Sequence, residues 1–326
     1  MRKLVVWLAL MAITGLILGR SAQAQDDLAQ LTWSNATSSI HEFPTVNRAA
    51  GLVGLDSGPL LYHTGGSIMP TVTTYAIFWV PPKLQTGGAT SMSAQYITVQ
   101  IKLLLDYVGH ALGSNNTQYY QTISGTTYVQ DKGGFGGFYI DSTAYPASGC
   151  TDSATPGNCI SDAQIQAEIS KVMTLKGWTP SINKMFLLFT SSGEGSCFTG
   201  TSQCAYTVYC AYHGSFGSTS TPTIYGNEPY GDTSVCQVAG TPSPNGNAAA
   251  DTAATAASHE LTEAITDPLL NAWFTAGGSE IGDLCAYNYG VNTWDGALAN
   301  QMWNGDFFEL QTEYDNHAGG CVQVGP

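Results

Sequence analysis

AASHELTEAITDPLLNAWFTAGGSEIGDLC, residues 256–285, is the stretch from which both the fold and the chemistry of this chain are read. The segment Asp251 to Thr266 is predicted to be a helix, rich in Ala and Thr and therefore suited to burial. Helical spacing puts His259 and Glu263 on one face, about one turn apart. Glu260, beside His259, can point into the same cleft. Asp267-Pro268 stops the helix, because proline disfavours helical geometry in the residue before it.

Two potential ligands one turn apart with a Glu between them form the arrangement of the zinc-peptidase helix H-E-x-x-H, here as H-E-x-x-E. In that reading His259 and Glu263 grip the metal and Glu260 is the general base. A zinc site needs a third protein ligand and an open position for water. Glu280 and Asp283 follow at 21 and 24 positions after His259. One of the two is expected to be the ligand and the other the acceptor that orients His259; the sequence leaves open which is which. Two carboxylates and one imidazole cancel the charge of the ion, so its water would be less acidic than at a three-His site. Such a set also suits a divalent ion that prefers oxygen, as well as Zn²⁺. Set against this, H-E-x-x-E fixes only three positions, and paired Glu residues are common on solvated helices. The low content of charged residues, 10%, favours the metal reading.

The N-terminus supplies the context. Met1-Arg2-Lys3, the apolar run Leu4 to Gly19 and the ending Ala22-Gln23-Ala24 have the pattern of a secretory signal peptide, residues 1–24. A membrane anchor would need a longer run. Cleavage would leave 7 basic against 24 acidic residues, a net charge of −17, which argues against nucleic acid or an anionic membrane as partner. All eight cysteines lie beyond residue 24, and an even number in an exported chain reads as four disulfides. Cys150–Cys159 and Cys285–Cys321 are the local pairings expected. Cys197, Cys204, Cys210 and Cys236 would share the other two.

Residues 25–58 are polar and mixed and read as a flexible N-terminal arm. A single α/β domain is expected over 59–326, with a Cys-rich region at 193–247. Leu60 to Met69 reads as a hairpin-like lead with a turn at Gly65-Gly66. Val72 to Val80 and Lys184 to Ser191 read as buried strands. Ser93 to Leu112 reads as a helix with His110 as its C-terminal cap, and Ser161 to Trp178 as a second helix opened by a Ser cap. Thr127 to Thr143 reads as two strands around a Gly-rich turn. Ala205 to Phe216 alternates like an edge strand that carries His213, a candidate for contact with substrate. Asn304-Gly305 marks a hairpin turn. His317, brought near the metal loop by a Cys285–Cys321 bridge, is a candidate to stabilise an oxyanion. This order predicts a zincin-like fold: a mixed twisted sheet, two long helices, a late active-site helix and a disulfide-stapled C-terminal part.

LYHTGG before a strand, CAYHGS, SHELTEAITDPLLNAWF with EIGDLC, NGDFFELQTEYDN and a terminal GC together resemble the exordium / phosphate-induced protein family, over about Leu61 to Cys321. These are secreted proteins of plants with relatives in bacteria. The resemblance implies an extracellular or cell-wall location and, for plant members, a part in growth responses. The signal peptide here is bacterial in style, and the chain is long, acidic and rich in Gly and Thr. Two functions follow as expectations. The first is a secreted metal-dependent hydrolase, a zinc peptidase acting on an extracellular protein or peptide. The second is a non-catalytic binding protein with a structural metal, whose Tyr and Trp residues meet a wall polymer.

Overall fold

A computed structural model describes residues 31–35, 38–52, 54, 56–198, 202–292 and 298–325. The expected signal peptide lies outside these residues. Alternation of side chains decides the layering. In β3 (Val72–Trp79) and β5 (Lys184–Thr190) the residues Val72, Ala76, Phe78, Met185, Leu187 and Phe189 point to one core. Tyr75, Ile77, Trp79, Phe186 and Leu188 point to a second core on the opposite face. A strand buried on both faces reads as a continuous apolar run, as these two do.

Seven strands form one mixed sheet in the order β1-β2-β6-β7-β5-β3-β4, where β1 is Thr32–Ser34, β2 Ser38–Pro44, β4 Gly133–Asp141, β6 Tyr209–Ser218 and β7 Thr221–Glu228. The pairs β7–β5, β5–β3 and β3–β4 are parallel, and β1–β2, β2–β6 and β6–β7 antiparallel. Besides α1 (Val46–Leu52), three longer helices cover the sheet: α2 (Ala94–Asp106) and α4 (Ala248–Thr266) pack into the first core, α3 (Asp162–Lys176) into the second. α3 begins at a capping box in which Ser161 and Gln164 satisfy each other's backbone N–H groups, and ends at Gly177 in the left-handed conformation. Nearly every side chain of α4 is buried. Its Ala content permits this, because small side chains let the helix lie close against the sheet.

Several expectations need correction. Within the supposed arm, β1 and β2 belong to the main sheet, and Val46–Leu52 is helical. It follows that the strand bearing His213 is not at an edge, since β2 covers it. Thr127 to Thr143 is not a hairpin: Thr127–Tyr128 pairs with Tyr120–Gln121, while β4 runs parallel to β3. The helix expected to reach Leu112 ends at Asp106. Gly109 then takes a positive φ of 84°, and His110 opens a short helix, Ala111–Asn115, instead of closing the long one. The turn at Asn304-Gly305 is as expected, with both residues at positive φ between Gln301–Trp303 and Asp306–Phe308. Four disulfides join Cys150–Cys159, Cys197–Cys204, Cys210–Cys236 and Cys285–Cys321, the two local pairings among them.

Candidate metal centre

His41 of β2 and His213 of β6 are cross-strand partners, so they project from the same face of the sheet. Their neighbours Ile40 and Tyr212 point to the opposite core, which leaves the two imidazoles facing α4. From α4 come His259, Glu260 and Glu263. The third contribution is the segment Glu280 to Asp283, which leads into a single 3-10 turn, Asp283–Cys285. The Cys285–Cys321 bridge fastens this turn to the C-terminal hairpin Glu313–Asp315/Gly320–Val322.

These groups meet in the interior. The side chains of His41, His213, His259, Glu260 and Glu263 are 0% exposed, that of Glu280 2% and that of Asp283 5%. His213 Nδ1 is 2.9 Å from Glu260 Oε2, whose other oxygen accepts from Phe43 N at 3.1 Å. His41 Nε2 is 2.7 Å from Asp283 Oδ2, and its Nδ1 is 2.8 Å from Thr32 Oγ1. His259 Nε2 stands 3.1 Å from Glu263 Oε1. Glu280 lies between the strand histidines, 3.5 Å from His41 Nδ1 and 3.8 Å from His213 Nε2. Donor atoms of His41, Glu263 and Asp283 lie within 4.8 Å of one another, as do those of His213, Glu260 and Glu263.

Negative charge is in excess here. Among the described residues the ion-pair partners of Glu260, Glu263, Glu280 and Asp283 are histidines alone. Burial opposes the protonation of His41, but the charge and hydrogen bond of Asp283 and the charges of Glu263 and Asp267 outweigh it and raise the imidazole to about 9. Asp283 is held below its ordinary value: burial pushes it up, but the His41 charge beside it prevails. Burial drives Glu260, Glu263 and Glu280 upward, with neighbouring carboxylates adding to the rise at Glu260 and Glu280 and His259 opposing it at Glu263. Burial and the charges of His41 and His259 depress His213. A buried charge costs several kcal/mol even after relaxation (~3 to 5 when one partner of a pair is lost), so Glu260, Glu263 and Glu280 keep their protons unless positive charge joins them.

The residues fit a divalent ion on one further ground. Glu263 Oε2, Glu280 Oε2, Asp283 Oδ1 and His213 Nε2 are buried without a hydrogen-bond partner, and Glu263 Oε1 has His259 Nε2 beside it at 3.1 Å. Buried polar atoms are nearly always satisfied, and these orphans, converging from a helix, a strand and a loop, are atoms of the types that ligate divalent ions. Three groups of the H-E-x-x-E reading and both downstream acids are thus brought together. His317 is not: it is 71% exposed on the hairpin turn, with Asp315 its nearest acid at 3.9 Å.

Sequence reasoning missed His41, which it placed in an arm. The signal was present in Ser38–Pro44, where Ile40 and Glu42 alternate with His41 and Phe43. It also missed Gln311, whose Nε2 lies 2.9 Å from His259 Nδ1. No family model, curated protein or solved structure matches this chain.

Proposed function

We propose that this is an exported metal-binding protein that encloses one divalent ion, Zn²⁺ or another, among Glu263, Glu280, Asp283 and an imidazole. The observation that carries the proposal is the convergence of unpartnered buried donors: Glu263 Oε2, Glu280 Oε2, Asp283 Oδ1 and His213 Nε2. Structural metal sites are closed and catalytic ones keep a position open; donors no more than 5% exposed favour the closed, non-catalytic kind. Four disulfides suit an oxidising compartment, and no described helix is long and apolar enough to cross a membrane. The resemblance to the exordium family supports the same location. A wall polymer would find an aromatic face at Tyr62 and Tyr120, which pack on Trp273, and at Tyr128, which packs on Tyr120 and is 51% exposed. The test is thermal unfolding of chelator-stripped protein with and without Zn²⁺ or Mn²⁺. Binding to the folded state alone raises stability by about 2.7 kcal/mol at a hundredfold excess over Kd. No rise with any divalent ion would remove the proposal.

A second reading is a zincin-like metal-dependent peptidase. Two observations favour it: His259, Glu260 and Glu263 all face the cluster, and a cavity of about 90 Å³ lined by Leu31, Pro44, Ala49 and Leu52 reaches Asp283. Glu260 would serve as base, and would first have to release Phe43 N and His213. Turnover of peptides by the metal-loaded protein, lost in Glu260→Gln with metal retained, would establish this reading over the first.

A further inference from the structure

Three imidazoles face the cluster, and their tautomers are fixed by what each ring's two nitrogens touch. A nitrogen that carries a hydrogen cannot bind an ion, and a metal-binding histidine almost always donates its other N–H to a carboxylate, carbonyl or water. At His259 the partner of Nδ1 is the Gln311 amide. Gln311 Nε2 also donates to Gly282 O at 2.7 Å, and Gln311 Oε1 accepts from Tyr287 N at 3.1 Å. Turning the amide over would set two oxygens and two N–H groups against each other, so its orientation is fixed. His259 Nδ1 therefore accepts, and the neutral ring carries its hydrogen on Nε2, the atom nearest Glu263. At His41 both nitrogens are taken, by Thr32 and Asp283.

His213 has the opposite arrangement. Its Nδ1 lies 2.9 Å from Glu260 Oε2 and 3.6 Å from Glu263 Oε2; a cation in the cluster would keep Glu260 ionised against the upward push of burial, and an ionised carboxylate can only accept. The hydrogen then sits on Nδ1 and the Nε2 lone pair is free. Nε2 is buried without a hydrogen-bond partner; Glu280 Oε2 at 3.8 Å is beyond hydrogen-bonding reach, and the Asp267 backbone carbonyl also lies beside the ring. Glu260 is itself held by Phe43 N. The chain Phe43 N–H to Glu260 to His213 Nδ1–H to Nε2 is the support a metal-bound imidazole requires.

We infer that His213, not His259, is the imidazole that binds the ion, and that Glu260 is the positioning residue which orients it. His259 is then a neighbour that holds Glu263 in place. This assignment rests on the metal-binding proposal above, and goes beyond it by moving the histidine ligand from the helix to the sheet and taking Glu260 out of the role of base.

The experiment uses the full mature chain, stripped with chelator and reloaded with one equivalent of Zn²⁺. Long-range ¹H–¹⁵N correlation of the histidine rings is recorded before and after. His213 Nε2 is expected to shift on metal addition while His259 keeps its hydrogen on Nε2. In parallel, zinc content after dialysis is measured for His213→Ala, His259→Gln and Glu260→Gln. The wild type and His259→Gln are expected to retain about one ion per chain, His213→Ala none, and Glu260→Gln is expected to bind about 10- to 100-fold more weakly. A shift at His259 Nε2, retention by His213→Ala, or loss in His259→Gln with its fold intact overturns the assignment. Should His213→Ala fail to fold, the ring spectrum of the wild type decides. A wild type that takes up no ion overturns the metal-binding proposal itself, a result distinct from binding through the wrong histidine.

Discussion

Gly282 lies directly against His259: a Cβ placed on it would stand 2.5 Å from Nδ1, 2.6 Å from Cε1 and 2.9 Å from Glu263 Oε1. Its φ of −77° is ordinary, so glycine is present here for close approach, not for backbone conformation. The loop that delivers Glu280 and Asp283 can reach the helix only because this position has no side chain. Gly282→Ala is therefore expected to force the loop off α4 and weaken Zn²⁺ binding by about 10-fold or more, the scale seen when groups around a metal are displaced. Isothermal titration on the stripped variant, with circular dichroism to confirm the fold, checks this; unchanged affinity would show that the loop is not part of the centre.

Cys285 closes the turn that begins at Asp283, and its bridge to Cys321 spans 36 residues. Replacing both by Ser is expected to lower stability by about 2 to 4 kcal/mol and to weaken metal binding as well, since Asp283 loses the anchor that presents it. Removing Cys150 and Cys159 together, a bridge of 9 residues that contributes no group to the cluster, should lower stability and leave affinity unchanged. Urea unfolding and metal titration of the two variants separate the cases.

Glu194 offers a pH test away from the cluster. Burial raises its carboxyl to about 7 from an ordinary 4.5, against the opposing hydrogen bond from Gln85. Between those values the folded chain keeps a proton that the unfolded chain releases. Stability is therefore fully present below about 4.5 and is lost as pH rises through 7. Glu194→Gln keeps an oxygen for Gln85 and cannot ionise. The midpoint of thermal unfolding of the variant, compared with the wild type, should rise steadily from pH 4.5 to 8; parallel curves would contradict the assignment.

Much of this architecture was legible from period alone. Val72–Trp79 and Lys184–Thr190 read as buried strands because both faces are apolar, and α4 read as a helix because His259 and Glu263 recur at a helical interval. What the sequence concealed were relations between distant segments. Ser38–Pro44 is only seven residues long, too short for its alternation to stand out from a polar surround, and its role depends on pairing with Tyr209–Ser218. The same pairing decides that His213 is interior. Gly133–Asp141 was read as part of a hairpin because its glycines resemble a turn, whereas its partner, β3, lies 61 residues earlier. At the cluster, H-E-x-x-E put three of the neighbouring groups on one helix, but no local pattern records that Gln311 lies against His259 Nδ1. The proposed choice among the three imidazoles rests on hydrogen-bond direction, and that is a property of the folded chain.

Elemental analysis of the purified protein, made without added metal and without chelator, bears on all of this at once. About one divalent ion per chain is the expected result, retained through gel filtration and lost when Glu263 is replaced by Gln. A protein that folds, keeps its disulfides and carries no ion above background, before or after incubation with Zn²⁺ or Mn²⁺, would mean that the buried carboxylates hold protons instead, and that no metal centre exists.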